Sequence, residues 1–234
     1  MYHINANGFH PRAEELRVAS LAFPFISIQD SRLREATGRA LLSRLWPSHV
    51  TYGFFHDEEG PACHLLVHAG FRQEEVRHET RQRHRLTAVR VTLADGAPLV
   101  VSSYYAPPSD SAGLLWGDLL AAILAFPRAL VLGDLNARAR ELGCRGSNRN
   151  GDVLQEALES TGAIVLNNPR QPTYHATHNR AFDCLDWALA SPLAARLQRE
   201  CQVGVDVGSD HLPLVISRVR RRRPPSAPPT GPPR

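Results

Sequence analysis

Paired cysteines are missing from this 234-residue chain: the four it has, Cys63, Cys144, Cys184 and Cys201, are scattered with no CxxC spacing. That argues against a zinc knuckle or a disulfide framework and leaves reduced thiols, most of them core filler. Long apolar runs are missing too. The most apolar stretch, 114–126, is too short to span a bilayer and is interrupted by Asp118, and the N-terminus carries no basic and then apolar secretion pattern. No membrane partner is expected, and an intracellular protein is the default. Lysine is absent altogether, since all 27 basic residues are arginine; this reads as a codon bias and carries no functional weight. Nor is there an internal repeat.

What is present is the composition of an ordinary soluble globular protein, 43% hydrophobic and 21% charged, with length enough for one large α/β domain. The formal net charge of +4 belongs to one end. Six arginines (Arg218, Arg220, Arg221, Arg222, Arg223 and Arg234) fall in the last 17 positions, where there is no Asp or Glu, leaving 21 arginines against 23 acidic residues elsewhere. The folded part is therefore near neutral, and bulk charge gives no basic nucleic-acid-binding face. From Pro224 onward the sequence reads PPSAPPTGPPR, which suits an extended linker and neither a helix nor a central strand. The parse is a domain over 1–219 and a basic, proline-rich linker or tail over 220–234, of the kind that leads to a further domain.

Short β-like runs alternate with helical ones, which argues for an α/β fold. Strands are expected at 2–5, 25–29, 64–68, 87–93, 99–105, 129–133, 184–190 and 212–217, and helices at 12–21, 34–42, 112–125 and 151–160. Polar residues recur where these strands end: Asn5 and Asn7, Gln29 and Asp30, Tyr105, Asp134 and Asn136, and Ser209-Asp210-His211 before the last. Strand-end loops are where α/β proteins place ligands, and a set of carboxylates and carboxamides suits oxygen-ligand metal chemistry.

In Leu130-Val131-Leu132-Gly133-Asp134-Leu135-Asn136 an apolar run stops at a glycine and two polar residues. If the extended conformation persists, Asp134 and Asn136 share a side and could hold one water, the carboxylate taking its proton and the amide orienting it. An isolated Asp-x-Asn is more often a turn. In Gly208-Ser209-Asp210-His211 an imidazole enters an apolar strand, able to act as a base or, when charged, to steady a phosphoryl oxygen. Asp186 is the candidate to orient it. Asp30 is the best single Mg²⁺ ligand, with Asn5 beside it on the neighbouring strand, although an Asp after a strand is usually a helix cap. Tyr105 could donate to a phosphate oxygen, or simply pack.

Taken in order, Ile4-Asn5-Ala6-Asn7-Gly8, Ile28-Gln29-Asp30, Tyr105-Ala106-Pro107-Pro108, Gly133-Asp134-Leu135-Asn136-Ala137, Pro172-Thr173, Leu185-Asp186 and Ser209-Asp210-His211 resemble the endonuclease/exonuclease/phosphatase superfamily. Within it they resemble the endonuclease domain of retrotransposons without long terminal repeats (non-LTR), to which Asn148-Arg149-Asn150-Gly151 and the helix after it are also similar. The resemblance implies two packed β-sheets flanked by helices. It implies a Mg²⁺-dependent DNA endonuclease, with Mn²⁺ as an alternative ion, that leaves a 3′ hydroxyl to prime reverse transcription. The catalytic set would be Asp134, Asn136, Asp186, His211 and Tyr105; Asn5, Asp30 and Asp210 would surround the metal; Thr173, Ser209 and Arg138 would meet DNA. A linked reverse transcriptase and action in the nucleus follow from the same likeness. Asp30 departs from it, standing one methylene short of the usual Glu. Two other readings stay open: an abasic-site repair nuclease, and a weakened copy that only binds DNA or a partner.

Overall fold

Strand alternation builds the fold, in a computed structural model that describes residues 1–81, 83–108, 113–168, 171–176, 182–197 and 200–217. The arginine and proline tail over 220–234 lies outside those residues, as does the first position of the expected 112–125 helix. The strands are β1 (Tyr2–Asn5), β2 (Phe25–Gln29), β3 (His49–Phe54), β4 (Cys63–His68), β5 (Gln73–Arg81), β6 (His84–Thr92), β7 (Pro98–Tyr105), β8 (Ala129–Asp134), β9 (Ile164–Val165), β10 (Tyr174–His175), β11 (Phe182–Asp183), β12 (Asp186–Ala190), β13 (Glu200–Val203) and β14 (Leu214–Ser217). The helices are α1 (Ala13–Ser20), α2 (Glu35–Leu45), α3 (Gly113–Leu124), α4 (Arg149–Thr161) and the short α5 (Pro192–Ala195).

One six-stranded sheet runs β13-β14-β1-β2-β4-β3, the other β5-β6-β7-β8-β12-β9, and β10 with β11 forms a separate hairpin. β1–β2 and β7–β8 are parallel pairs, so both sheets are mixed. The two-residue period sorts each inner strand into faces. On β8, Leu130 and Leu132 join Val89, Val101, Leu65 and Ile216 between the sheets. Ala129 and Val131 turn the other way, onto Trp116, Leu120 and Ile123 of α3 and Leu154 of α4. On the far side Ile4, Ile26 and Ile28 meet Leu16 of α1, Leu42 of α2 and Trp46. The layers are helix, sheet, sheet, helix, as the resemblance implies.

The layer between the sheets is apolar at one end only. Following the same faces toward the other end, β1 offers His3 and Asn5, β2 Ser27 and Gln29, β7 Ser103 and Tyr105, β8 Asp134, and β12 Asp186. His3, Ser27, Gln29, Ser103 and Asp186 have no solvent exposure. Polar groups so deep need partners, because an unmet one costs roughly 1–3 kcal/mol. Here the partners come from the opposite sheet: Ser27 Oγ lies 2.8 Å from Ser103 Oγ, and Gln29 Nε2 donates to the Tyr104 carbonyl at 2.6 Å. All four cysteines are free. Among the described residues no helix is long and apolar enough to cross a membrane.

Candidate active site

β8 and β12 bring the first two acids together. They pair antiparallel with Asp186 directly opposite Asp134. Gly133 lets β8 pass: a Cβ there would stand 2.1 Å from the Tyr104 carbonyl oxygen. The extended conformation does not persist to Asn136, which is left-handed at φ 46° and donates its backbone N–H to Asp134 Oδ1 at 3.1 Å. The bond closes an Asx turn. Asn136 still lines the same cavity as Asp134, its Nδ2 donating to the Ala106 carbonyl at 2.9 Å. The Asn148-Arg149-Asn150-Gly151 segment fastens this turn. Asn148 caps α4 by accepting from Gly151 N and donates to the Asn136 carbonyl at 2.9 Å, while Asn150 reaches the Leu135 and Pro107 carbonyls at 3.0 Å.

His211 Nδ1 donates to Asp186 Oδ2 at 2.7 Å. The other carboxylate oxygen takes a second imidazole, His3 Nε2, at 3.1 Å. Asn5 Nδ2 donates to Asp134 Oδ2 at 2.8 Å, and its Oδ1 accepts the Asn7 backbone N–H at 2.9 Å. Asn7 Nδ2 in turn reaches Asp210 Oδ1 at 3.0 Å. Asp30 leaves β2 in a left-handed turn at φ 44°, with Arg32 Nη2 3.9 Å from its Oδ2 and bonded to Asn7 Oδ1. A cavity of about 360 Å³ collects Asn5, Asn7, Asp30, Tyr105, Asp134, Asn136, Arg138, Tyr174, Asp210 and His211 on its walls.

Of the three residues expected against DNA, only Arg138 faces this cavity, its Nε paired with Asp183 Oδ2 at 2.7 Å. Thr173 and Ser209 are buried, and their hydroxyls bond inward. Thr173 Oγ1 accepts the N–H groups of Leu185 and Asp186 at 3.1 and 3.0 Å, and Ser209 Oγ donates to the Asn5 carbonyl at 2.8 Å. Three residues were given no role in the site from the sequence, although Asn7 had been noted among the polar strand ends. His3 is two positions before Asn5, on the same face. Asn7 follows Asn5 at the same spacing. Tyr174 follows Thr173, and its ring centroid lies 5.0 Å from that of His211.

Burial and charge give the neighbouring acids opposite proton affinities. Desolvation pushes Asp134 up to about 7, the Asp186 charge adding to it against the pull of His211. Burial would raise Asp186 as well, but the charge and hydrogen bond of His211 and the hydrogen bond of His3 outweigh it and hold that carboxyl below the usual range. Burial works against a charged His211, yet Asp186, Asp134 and Asp210 lift it to about 9. Desolvation, then the charges of Asp134 and Asp30, raise Tyr105, so its hydroxyl stays a donor. Asp30 is also raised by desolvation.

Among the described residues one group could bring three ligand atoms within 4.8 Å of one another: Asp134, Asp186 and His211. A protonated imidazole engaged with Asp186 repels a cation, so this group is a poor metal cage. Asn5, Asp30 and Asp210 fit better, as oxygen donors around a cavity roomy enough for the waters that Mg²⁺ keeps.

A two-sheet sandwich with such a carboxylate and carboxamide mouth is the architecture of endonuclease/exonuclease/phosphatase-type phosphodiesterases. The family model described as endonuclease-reverse transcriptase matches residues 99–215, half of the chain. The chain belongs to that family. A curated relative, the probable RNA-directed DNA polymerase from transposon BS of Drosophila melanogaster, is 32% identical over 136 residues, covering 58% of this chain and 15% of that protein. The chain thus aligns with a small part of that relative's length.

Solved structures share the fold. The endonuclease domain of TRAS1, a telomere-specific non-LTR retrotransposon, superposes with TM-score 0.73 at 17% identity, covering 94% of this chain and 98% of that one. AP endonuclease LMAP from Leishmania major gives 0.72 at 12%, covering 91% and 85%. D. rerio TDP2 complexed with single-strand DNA product gives 0.63 at 16%, covering 91% and 95%.

Proposed function

We propose that this domain hydrolyses one phosphodiester bond of target DNA, using Mg²⁺ or in its place Mn²⁺, and leaves a nick whose 3′ hydroxyl primes a linked reverse transcriptase in the nucleus. The observation that carries this reading is the opposed pair of acids. Asp134, with a proton affinity near neutrality, is suited to take the proton of an attacking water while Asn136 orients that water. Asp186 stays anionic and keeps His211 charged, so the imidazolium serves as a donor to a phosphate oxygen rather than as a base. Tyr105 adds a second neutral donor. Asn5, Asp30 and Asp210 would hold the metal ion, which when bound offsets charge growing on the phosphate and on the leaving oxygen. Arg138 and the arginines of the tail supply phosphate attraction that the near-neutral domain lacks.

The test is nicking of supercoiled plasmid with and without EDTA, repeated with Asp134→Ala and His211→Ala. Cutting is expected only with metal and is lost in both variants; metal-independent cutting, or full activity in either variant, refutes the reading. A parallel comparison of abasic and intact duplexes separates target nicking from abasic-site repair.

A further inference from the structure

Asp186 on β12 is gripped by two imidazoles, one from the segment before β14 and one from β1 of the opposite sheet. His211 takes Oδ2, while Oδ1 takes His3 Nε2 across the layer, with no solvent exposure on either side chain of the His3–Asp186 pair. Behind His3 the bonds continue. Its Nδ1 lies 2.9 Å from Ser27 Oγ, Ser27 Oγ lies 2.8 Å from Ser103 Oγ, and Ser103 Oγ accepts from Gln29 Nε2 at 3.3 Å. Gln29 Oε1 then accepts the backbone N–H of Asp134 at 2.7 Å. The polar circuit starts at one acid and ends on its cross-strand neighbour, passing through both sheets. His3 is not on the cavity wall.

We propose that His3 is a positioning residue for the Asp186–His211 pair. A carboxylate held by a single donor can turn about its Cβ–Cγ bond, whereas two donors on opposite oxygens fix its plane. By donating to Oδ1, His3 aims Oδ2 at His211 Nδ1 and ties that aim to the spacing of the sheets. Outer partners of this kind orient an imidazole that does the chemistry, and losing one typically costs about 10–100-fold. Loss of His3 also leaves a buried carboxylate oxygen unmet.

The kinetic arm rests on the cutting reaction proposed above; the spectroscopic arm does not. His3→Asn keeps a polar group near Ser27 but falls short of Asp186, whereas His3→Gln carries an amide N–H to about the reach of Nε2. In His3→Asn, kcat for nicking is expected to fall about 10–100-fold with KM little changed. The proton resonance of His211 Nδ1–H should move upfield or vanish into exchange. His3→Gln should recover most of both. A folded His3→Asn with the unaltered protein's kcat and resonance, or a His3→Gln no better than His3→Asn, overturns the proposal. If the unaltered protein does not cut, the cutting assignment fails, and the His211 resonance still decides the role of His3. Should His3→Asn not fold, Ser27→Ala leaves His3 in place and removes the hydroxyl behind it, together with that hydroxyl's bond to Ser103: a shifted His211 resonance sustains the proposal, and an unchanged one defeats it.

Discussion

Leu132 and Asp134 sit two residues apart on the same face of β8, yet they belong to opposite ends of the layer between the sheets. Leu132 belongs to an apolar cluster of Val, Leu, Ile and Ala with Met1 and Phe25, where removal from water is itself the stabilising term. Around Asp134 the same depth works the other way, lifting the carboxyl to about 7 and favouring its neutral form. One end of the seam holds the sheets together; the other strains for function. A single strand thus carries both tasks, and the boundary falls at Gly133.

The comparison breaks most visibly at Asp134. Asp134→Asn is expected to lower nicking by about 10²–10⁴-fold, the usual worth of a general base, and to raise stability at the same time. The folded carboxyl lies above its unfolded value of about 3.9, so the cost it imposes is absent below that pH and grows as pH rises through about 7. Melting curves should therefore show the variant ahead by several degrees at pH 8 and level with the unaltered protein at pH 3.5; an equal gain at both pH values would disprove the account.

Next is Asp186→Asn, which removes the main anion behind His211. The His211 value should drop from about 9 toward the ordinary range, and with it the alkaline limit of cutting. The pairing stabilises the fold fully between about pH 4 and pH 6.5, the unfolded values of the carboxyl and the imidazole; the contribution is lost as pH rises through about 9 and, on the acid side, as Asp186 takes up its proton. A variant whose alkaline limit stays put contradicts the pairing as its cause.

Leu132→Ala probes the apolar end. It should cost about 2–5 kcal/mol in denaturant unfolding while kcat per folded molecule stays level, and a lower kcat would show that the two ends are not separable. The smallest effect is expected from Arg138→Ala. Weaker DNA binding should be spread evenly over sequences, with the salt slope reduced by about one; an unchanged slope in binding titrations removes Arg138 from the phosphate contacts.

The same division explains what could be read in the sequence. The eight strands expected from it are β1, β2, β4 and β14 in one sheet and β6, β7, β8 and β12 in the other, all of them interior. Both faces of such strands are covered, so they read as apolar runs. The strands that escaped, β3, β5, β9 and β13, are the four sheet edges. β5, Gln-Glu-Glu-Val-Arg-His-Glu-Thr-Arg, is the clearest case: its charges suit an edge left to water and hide it from a search for hydrophobicity. The β10–β11 hairpin is too short to carry a period. Asn5, Asp30, Tyr105, Asp134, Asn136, Asp210 and His211 were legible because polar residues at the ends of apolar runs stand out, and all reach one cavity. That the hydroxyls of Thr173 and Ser209 bond inward was not legible, since a strand-end hydroxyl gives no sign of its direction. His3 was hidden because a polar residue inside a short strand looks like noise until the opposite sheet is seen.

Asn7, Asp30 and Asn136 all leave their strands in the left-handed region, at φ 41°, 44° and 46°. That conformation admits Gly readily and Asn or Asp with modest cost, while longer side chains are disfavoured. On the proposed reading two filters with different criteria act on position 30, one asking for an oxygen ligand and one for a backbone twist, and Asp passes both where Glu would satisfy the first more easily than the second. A library of all twenty residues at that position, sorted for folding alone, would return Gly, Asn and Asp at the top. Sorting the same library for cutting would be needed to separate Asp from the other two.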